Sequence, residues 1–392
     1  MIITNYEMFL ENLKSDMWNI IPQSVKDLHL LFKENGHTLY VVGGSVRDFL
    51  NSEKPKDFDL ATDATPDQVL DMLGKKYKTN LQGKSFGVVV VYTNDQPMGM
   101  EIATFREDQY DDKLGITRNP DVKFSTIEKD VERRDIPYNA LFYDLDKKEI
   151  IDLVGGVKDL ENKTTRFVGE PSLRIKEDPL RILRLFRFNC RYRFNIDEKT
   201  VDAITENKSQ LKIISRERIW AFSGDNTGEI KKAWKQAKDF SEYLELFNRF
   251  DLWEDILPGV KINRNIIKSS FLENYLANLL IDNDTTMLMS KMVQDFKMEV
   301  DMTRKVVFLI SLLDLKPINV TELYKKKVVS QVSDDVIKDW YSMNNISDKM
   351  FFKFLDYKPS VSSEELMKKG FKGKELGEEI KRLEIENFKS MI

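Results

Sequence analysis

Apolar–polar alternation at a period of two, the mark of strands half-buried in a sheet, is confined in this chain to the stretch before Gly155-Gly156. Beyond it the apolar residues recur at helical spacing. Residues 179 to 392 read as almost wholly helical, punctuated at Pro258, Pro317 and Pro359. The division predicts the α+β class: an N-terminal α/β head with an antiparallel or mixed sheet, then an all-helical remainder. The 392 residues also exceed what one hydrophobic core organises, so two to four domains are expected.

Within the head, Ser24 to Asn35 is amphipathic and helical, and Gly36 stops it. Thr38 to Val42 reads as a strand ending in Gly43-Gly44, after which Ser45 is placed to cap a helix through Leu50. Lys56 to Leu60 alternates as a strand, and Pro66 opens a helix to Leu73. Phe86 to Tyr92 and Met100 to Phe105 are strands, with Asn94-Asp95 in the turn between them. Arg106 to Phe124 is polar and broken by Gly115 and Pro120, which predicts a mobile loop. A helix around Thr126 to Arg134 and a hairpin from Ala140 to Leu153 complete the head.

Composition narrows the chemistry. The chain carries two histidines, His29 and His37, which disfavours zinc hydrolases, histidine phosphohydrolases and Ser-His-Asp triads. Acid–base or metal chemistry must then run on carboxylates. The lone Cys190 permits no internal disulfide and fits a reducing cytoplasm. No apolar run approaches the roughly 18–20 residues that span a bilayer, the best being Val306 to Leu313, and the first residues lack the pattern of a signal peptide. Of 18 arginines, seven (166, 174, 181, 184, 187, 191 and 193) fall within 28 residues of a lysine-rich chain. Arginine is the side chain of planar, bidentate recognition, so this cluster points to a site.

The densest constellation is Gly43-Gly44-Ser45-Val46-Arg47-Asp48 followed by Asp57-Phe58-Asp59. Residues two apart on a strand share a face, so Asp57 and Asp59 project together. Two adjacent carboxylates repel unless a cation lies between them, and Mg²⁺ takes one or two such groups plus substrate phosphates. A glycine pair at a strand-to-helix turn lets the backbone approach a phosphate, and Arg47 is one turn on. Glu101, on the strand from Met100, offers a third carboxylate for two-metal phosphoryl transfer. A surface turn with an exposed Asp-X-Asp is the plainer reading of the same residues. Gly83-Lys84-Ser85 is no P-loop, because position 78 is Lys rather than the required glycine.

These blocks, taken in order, resemble the class II tRNA nucleotidyltransferases, the CCA-adding enzymes, and their relatives the bacterial poly(A) polymerases. The resemblance runs from Gly43-Gly44-Ser45-Val46-Arg47-Asp48 and Asp57-Phe58-Asp59-Leu60-Ala61-Thr62 through Arg133-Arg134-Asp135, Asn139-Ala140-Leu141 and Asp152-Leu153-Val154-Gly155-Gly156. It ends at Glu177-Asp178-Pro179-Leu180-Arg181 and Arg216-Glu217-Arg218-Ile219. It implies a polymerase β-like nucleotidyltransferase head over residues 1–165, a helical neck over 166–235 for base and RNA recognition, and a helical body and tail over 236–392 that holds tRNA. The implied reaction is Mg²⁺-dependent, template-independent addition of CCA to tRNA 3′ ends from CTP and ATP, in the cytoplasm and away from membranes.

The resemblance also distributes roles. Asp57 and Asp59 bind metal, with Glu101 as the third catalytic carboxylate. Gly43, Gly44, Ser45, Arg47, Arg134 and Asp135 bind the nucleotide, Asp135 by accepting from a ribose hydroxyl. Asp178 and Arg181, three apart on a helix, share a face and present an acceptor beside a donor. Cytosine and adenine match that pair, whereas uracil and guanine present the reverse order. Glu177 is placed to hold the Arg181 guanidinium in plane, and Arg184 and Arg187 continue toward the triphosphate. Ordinary salt bridges on a solvated helix remain the bland reading of this stretch. The segment Thr164 to Arg218 has 13 basic and 8 acidic residues, a patch suited to an RNA backbone. The flexible loop of the family is matched by Arg106 to Phe124 with its Arg118-Asn119-Pro120 turn.

Two positions depart from the family pattern: Ile136-Pro137-Tyr138 where Phe-Thr-Ile is usual, and Phe222 where a glutamate is common. A poly(A) polymerase on the same scaffold is the nearest alternative function. A non-catalytic nucleotide or RNA-binding regulator is the alternative of another class, and it would be expected to lack one or more of the three carboxylates.

Overall fold

The backbone leaves its first sheet strand at Gly43, whose φ of 71° is open to glycine and strained for other residues, and much of the head follows from that turn. A computed structural model describes residues 17–109, 121–221, 228–313, 327–347 and 349–391. Helix α1 (Gln23–Glu34) buries Val25, Leu28, His29 and Phe32 and is followed by Gly36 at φ 78°. Strand β1 (Leu39–Val42) then runs to Gly43, and α2 (Gly44–Leu50) begins at once. Gly43, not Ser45, therefore occupies the cap position. Ser45 is buried in the first turn, its hydroxyl 3.5 Å from the Val42 carbonyl.

Strand β2 is Asp59–Thr62, shorter than the expected Lys56 to Leu60. The reason lies in its partner: the antiparallel β1–β2 register closes at Val42↔Asp59, and Gly43 then carries β1 out of the sheet. Asp57 and Phe58 thus approach β2 without a ladder partner on that side. Helix α3 (Pro66–Leu73) opens with a capping box between Thr65 and Gln68, with Pro66 where its missing N–H costs nothing. Strands β3 (Lys78–Asn80), β4 (Val88–Tyr92) and β5 (Met100–Thr104) follow; Phe86 falls in a 3₁₀ turn before β4.

The segment expected as a loop is in part a ladder. Strand β6 (Arg106–Gln109) pairs antiparallel with β7 (Asp121–Phe124), from Arg106↔Phe124 to Gln109↔Asp121. Gly115 and the Arg118-Asn119-Pro120 turn lie outside the described residues, as does Phe222. Helix α4 (Ile127–Glu132) leads to a 3₁₀ turn at Pro137–Asn139 and the hairpin of β8 (Phe142–Asp144) and β9 (Glu149–Ile151).

Seven strands make one mixed sheet in the order β3-β4-β5-β2-β1-β8-β9, antiparallel except for the parallel pair β2–β5. Leu60, Val89, Val91 and Ile102 fill its rear face. On the front, Val131 of α4 joins Val42, Ala61, Phe105, Ala140 and Phe142 in a buried cluster, with Ile127 packed beside it. The helix thus covers only part of the face, and its C-terminal end delivers residues 133–135 to the part left open.

After Gly155-Gly156 the chain adds α5 (Gly156–Glu161), α6 (Pro171–Glu177), α7 (Leu180–Tyr192) and α8 (Glu198–Asn207). One correction applies: strands reappear briefly, as a two-residue parallel ladder of β10 (Thr164–Thr165) with β11 (Asn195–Ile196). Contacts divide the chain into two units, Met1–Ile213 and Ile214–Ile392. All elements described in the second are helical, among them Phe240–Phe250, Val300–Leu312 and Gly373–Ser390. An aromatic cluster of Trp234, Phe240, Tyr243 and Tyr275 forms part of its core. The α+β class with a mixed-sheet head and a helical remainder is what the structure has. Among the described residues, no helix is long and apolar enough to cross a membrane.

Candidate active site

The parallel register Leu60↔Ile102 sets Asp59 beside Glu101, both on the front face, because each precedes a paired residue by one step. Both keep solvent-exposed surface. Protein nonetheless crowds the Asp59 carboxyl, and burial, followed by the charges of Glu101 and Asp57, pushes its pKa up to about 6 against the pull of Arg134 and Arg47. Asp59 thus feels the charge of both neighbouring carboxylates, and a cation would relieve that repulsion. Among the described residues no three metal-ligating side chains already stand as a closed cage. The donor set fits a hard divalent ion in one mode, with carboxylates on one side and substrate oxygens and water completing the shell.

The Gly43-Gly44 turn lies at the end of β1, next to Asp59 in the ladder. A Cβ on Gly43 would stand 3.4 Å from the Asn139 carbonyl, in addition to the strain of its positive φ. Arg47 is buried rather than aimed outward. Its Nε and Nη2 donate to Asp48 Oδ1 at 2.8 and 2.7 Å, Nη1 donates to Asn139 Oδ1, and the guanidinium lies against Phe188 and Tyr192. Asp48 also accepts from Arg191 at 3.0 Å and from the Tyr192 hydroxyl at 2.8 Å. In this arrangement Arg47 braces the glycine turn and ties α2 to α7.

At the end of α4, Asp130 is 1% exposed and each of its oxygens takes an arginine. Arg133 donates to Oδ1 at 2.9 and 2.6 Å, and Arg134 donates to Oδ2 at 2.9 and 2.8 Å. Burial alone would raise the Asp130 pKa, but Arg134 and Arg133 outweigh it and hold the carboxyl below its usual range. Arg134 also lies over the Phe142 ring, 5.0 Å from its centroid. Removing a buried partner from two largely buried cations costs about 3 kcal/mol or more. Asp130→Ala should therefore lower the melting temperature by roughly 10 °C, read by circular dichroism; an unchanged midpoint would remove Asp130 as the anchor of this arginine pair.

Asp135 lies among arginines. Arg184 donates to Oδ2 at 2.8 Å (Nε) and 2.5 Å (Nη2), and the Ile136 N–H donates to Oδ1 at 2.9 Å. Burial opposes its charge, yet Arg184, then Arg181 and Arg187, hold the carboxyl far below the usual range. Arg187 is buried, 4.3 Å from the Phe188 ring centroid. Asn139 joins the two halves of the site: it accepts from Arg47 and Arg134 and donates weakly, at 3.4 Å, to Asp135. The Pro137 departure is accommodated at the first position of the 3₁₀ turn. Tyr138 turns inward, its hydroxyl 3.1 Å from that of Thr165 and its ring edge-on to Phe188, Tyr192 and Phe194.

Arg181 is 6% exposed and firmly held. Nη1 donates to Glu177 Oε2 at 2.5 Å and to the Arg174 carbonyl at 3.1 Å, and Nη2 donates to the Arg133 carbonyl at 2.9 Å. The other Glu177 oxygen takes Arg174 at 2.6 Å. Asp178, however, is not on the helix with Arg181. It is the extended residue after α6 (φ −153°, ψ 98°), followed by Pro179, and its carboxylate accepts from Leu180 N at 3.2 Å. A residue before proline is driven out of the helical region, so Asp178 and Arg181 are linked across a turn, the Arg181 N–H donating to the Asp178 carbonyl at 3.0 Å. Sequence reasoning gave no role to Asp130, Asp48 or Asn139. The 130/133/134 spacing on a helix was the available signal for the first of these.

With this geometry in place, similarity to known proteins can be read against particular residues. Residues 39–166 match the poly A polymerase head domain, and residues 193–221 match the probable RNA and SrmB-binding site of polymerase A. CCA tRNA nucleotidyltransferase 1, mitochondrial, of Homo sapiens is 39% identical over 220 residues, covering 54% of this chain and 49% of the relative. Poly(A) polymerase I of Salmonella typhi is 32% identical over 275 residues, covering 68% of this chain and 56% of the relative. The chain thus spans about half the length of the curated relatives it matches. In fold it is similar to the Bacillus stearothermophilus CCA-adding enzyme solved in complex with CTP, with a TM-score of 0.68 at 21% identity over 93% of this chain and 92% of that one. Nucleotidyltransferases with such a head generally use a divalent metal. The head match covers the glycine turn, all three carboxylates and the Arg133-Arg134-Asp135 run, and on that ground residues 39–166 belong to the poly A polymerase head family, while the chain as a whole is similar to CCA-adding enzymes and poly(A) polymerases alike.

Proposed function

We propose that this protein adds CCA to the 3′ ends of tRNA from CTP and ATP, without a nucleic-acid template and with release of pyrophosphate. The observation that carries this reading is that Asp59 and Glu101 each stand one residue before the Leu60↔Ile102 pair of β2–β5, beside the Gly43 turn. Asp57, Asp59 and Glu101 would hold Mg²⁺, which when bound supplies a more acidic attacking hydroxyl and a counter-charge for the leaving oxygens. Gly43 and Gly44 offer backbone close to the phosphates at the start of α2, with Ser45 in the same turn. Arg47 acts by bracing that turn. Arg134 supplies positive charge near the carboxylates, and Asp135 offers its carboxylate to the ribose.

Asp178 and Arg181 would read the base, and Arg184 and Arg187 set the positive field beside Asp135. We keep the three-part assignment: head 1–165, neck 166–235, body and tail 236–392 with tRNA as ligand. The lone cysteine favours the cytoplasm. The 68% share of this chain aligned with a poly(A) polymerase supports that activity as the second reading. One assay separates them: a tRNA transcript lacking CCA, incubated with Mg²⁺ and each labelled nucleotide. Growth that stops after C, C and A is expected. A long A ladder would establish the second reading, and no incorporation would leave a nucleotide-binding regulator.

A further inference from the structure

Attacking and leaving oxygens stand roughly in line at a reacting phosphorus, so a nucleotide held from one side obliges the attacking hydroxyl to arrive from the other. The groups assigned to the nucleotide lie toward β1 and β8: Gly43 after β1, Arg134 over Phe142 of β8, and Arg181 against the Arg133 carbonyl. In the order β3-β4-β5-β2-β1-β8-β9, Glu101 on β5 is on the opposite side of Asp59.

Past Glu101 the front face runs on to β4 and β3. The registers Val90↔Glu101 and Asn80↔Val90 make one cross-strand row, and Lys78↔Tyr92 makes the next. This stretch is half open. Val88, Val90 and Tyr92 are partly buried and Lys78 is exposed, while Val89 and Val91 on the rear are fully buried. Gly99 fixes how the tyrosine lies: a Cβ there would stand 2.7 Å from Val90 Cγ1 and 3.0 Å from Tyr92 Cε1, so the two side chains close over the bare backbone. Lys78 Nζ is 5.5 Å from the Tyr92 ring centroid, and Lys75 and Lys76, also exposed, precede β3. An aromatic ring with lysines beside it suits single-stranded RNA, whose bases stack while its phosphates are neutralised.

We propose that the half-open β3–β4 face receives the 3′-terminal nucleotides of the acceptor RNA, with Tyr92 stacking against a base and Lys78, aided by Lys75 and Lys76, holding backbone phosphate. The assignment rests on the nucleotidyl-transfer reading above. It is tested by steady-state kinetics of the full chain with CTP and a tRNA transcript ending before CCA. Tyr92→Ala should raise KM for the transcript about tenfold while KM for CTP stays within about twofold. Lys78→Glu should do the same, more strongly at low salt. Tyr92→Phe, which keeps the ring, should recover most of the loss. An unchanged transcript KM in both Tyr92→Ala and Lys78→Glu overturns the proposal, and so does an equal rise in KM for CTP. If the wild-type chain extends no RNA, it is the transfer reading that fails. The face is then decided by photocrosslinking a transcript with 4-thiouridine at its 3′ end: attachment within residues 88–92 supports it, and attachment elsewhere overturns it.

Discussion

Asp59→Asn is expected to abolish nucleotide incorporation, by roughly three orders of magnitude or more, while leaving the protein as stable as the wild type or more so. Both halves follow from one observation. Burial and the charges of Glu101 and Asp57 raise the Asp59 pKa to about 6, above that of a carboxyl in an unfolded chain. A group whose folded pKa is raised opposes folding when ionised, and the opposition fades as pH falls through the folded value. The variant's advantage in melting temperature should therefore be present at pH 7.5 and shrink toward pH 5, where the wild type protonates. Mg²⁺ changes the comparison, since a ligand that binds only the native state stabilises it. Added Mg²⁺ should raise the wild-type midpoint and not the variant's. Protons compete for the same carboxylate, so the apparent metal affinity of the wild type should weaken about tenfold per pH unit below about 6. Retained incorporation in the variant, or a metal-induced midpoint shift equal to the wild type's, would remove Asp59 from the metal site.

The repulsion that makes such a substitution harmless to the fold is also what was hardest to see in the sequence. Asp57-Phe58-Asp59 announced a carboxylate pair, and Glu101 a third, but their convergence depends on a parallel β2–β5 pairing that no local pattern specifies. Punctuation was more legible. Pro66 marked a helix start, where the structure adds a Thr65–Gln68 capping box, and Gly36 and Gly43 ended the elements they were expected to end. Ser45 misled because serine is a common N-cap, whereas here the turn needed the positive φ of Gly43 and placed the cap there. The β6–β7 ladder was missed because its stabilising pairs are backbone to backbone, and Glu107 and Asp108 carry no alternating apolar signal. Arg47 was read as a phosphate ligand from its spacing. Its burial follows from Asp48, Asn139, Phe188 and Tyr192, contributed by three separate parts of the chain.

Base choice should depend on Asp178 more than stability does. Asp178→Ala removes an acceptor that, on the proposed reading, faces the amino group of cytosine or adenine. CTP then loses a hydrogen bond, and UTP no longer sets its carbonyl against a carboxylate. Both changes act in the same direction, and a site built on polar pairing discriminates by large factors because a mismatch leaves buried groups unpaired. The ratio of kcat/KM for CTP over UTP should fall by about 100-fold. The cost to the fold includes the bond from Leu180 N, about 1 kcal/mol, and the melting temperature should change less than base selectivity does. Arg181 is what makes the test decisive. Glu177 and the carbonyls of Arg174 and Arg133 hold its guanidinium on several sides, so it cannot swing into the space that Asp178 leaves or follow a mispaired base. If the CTP to UTP ratio survives in Asp178→Ala, the base is read elsewhere. If it collapses there and in Arg181→Lys, while Glu177→Gln lowers it only in part, the pair is the template and Glu177 is the residue that positions it.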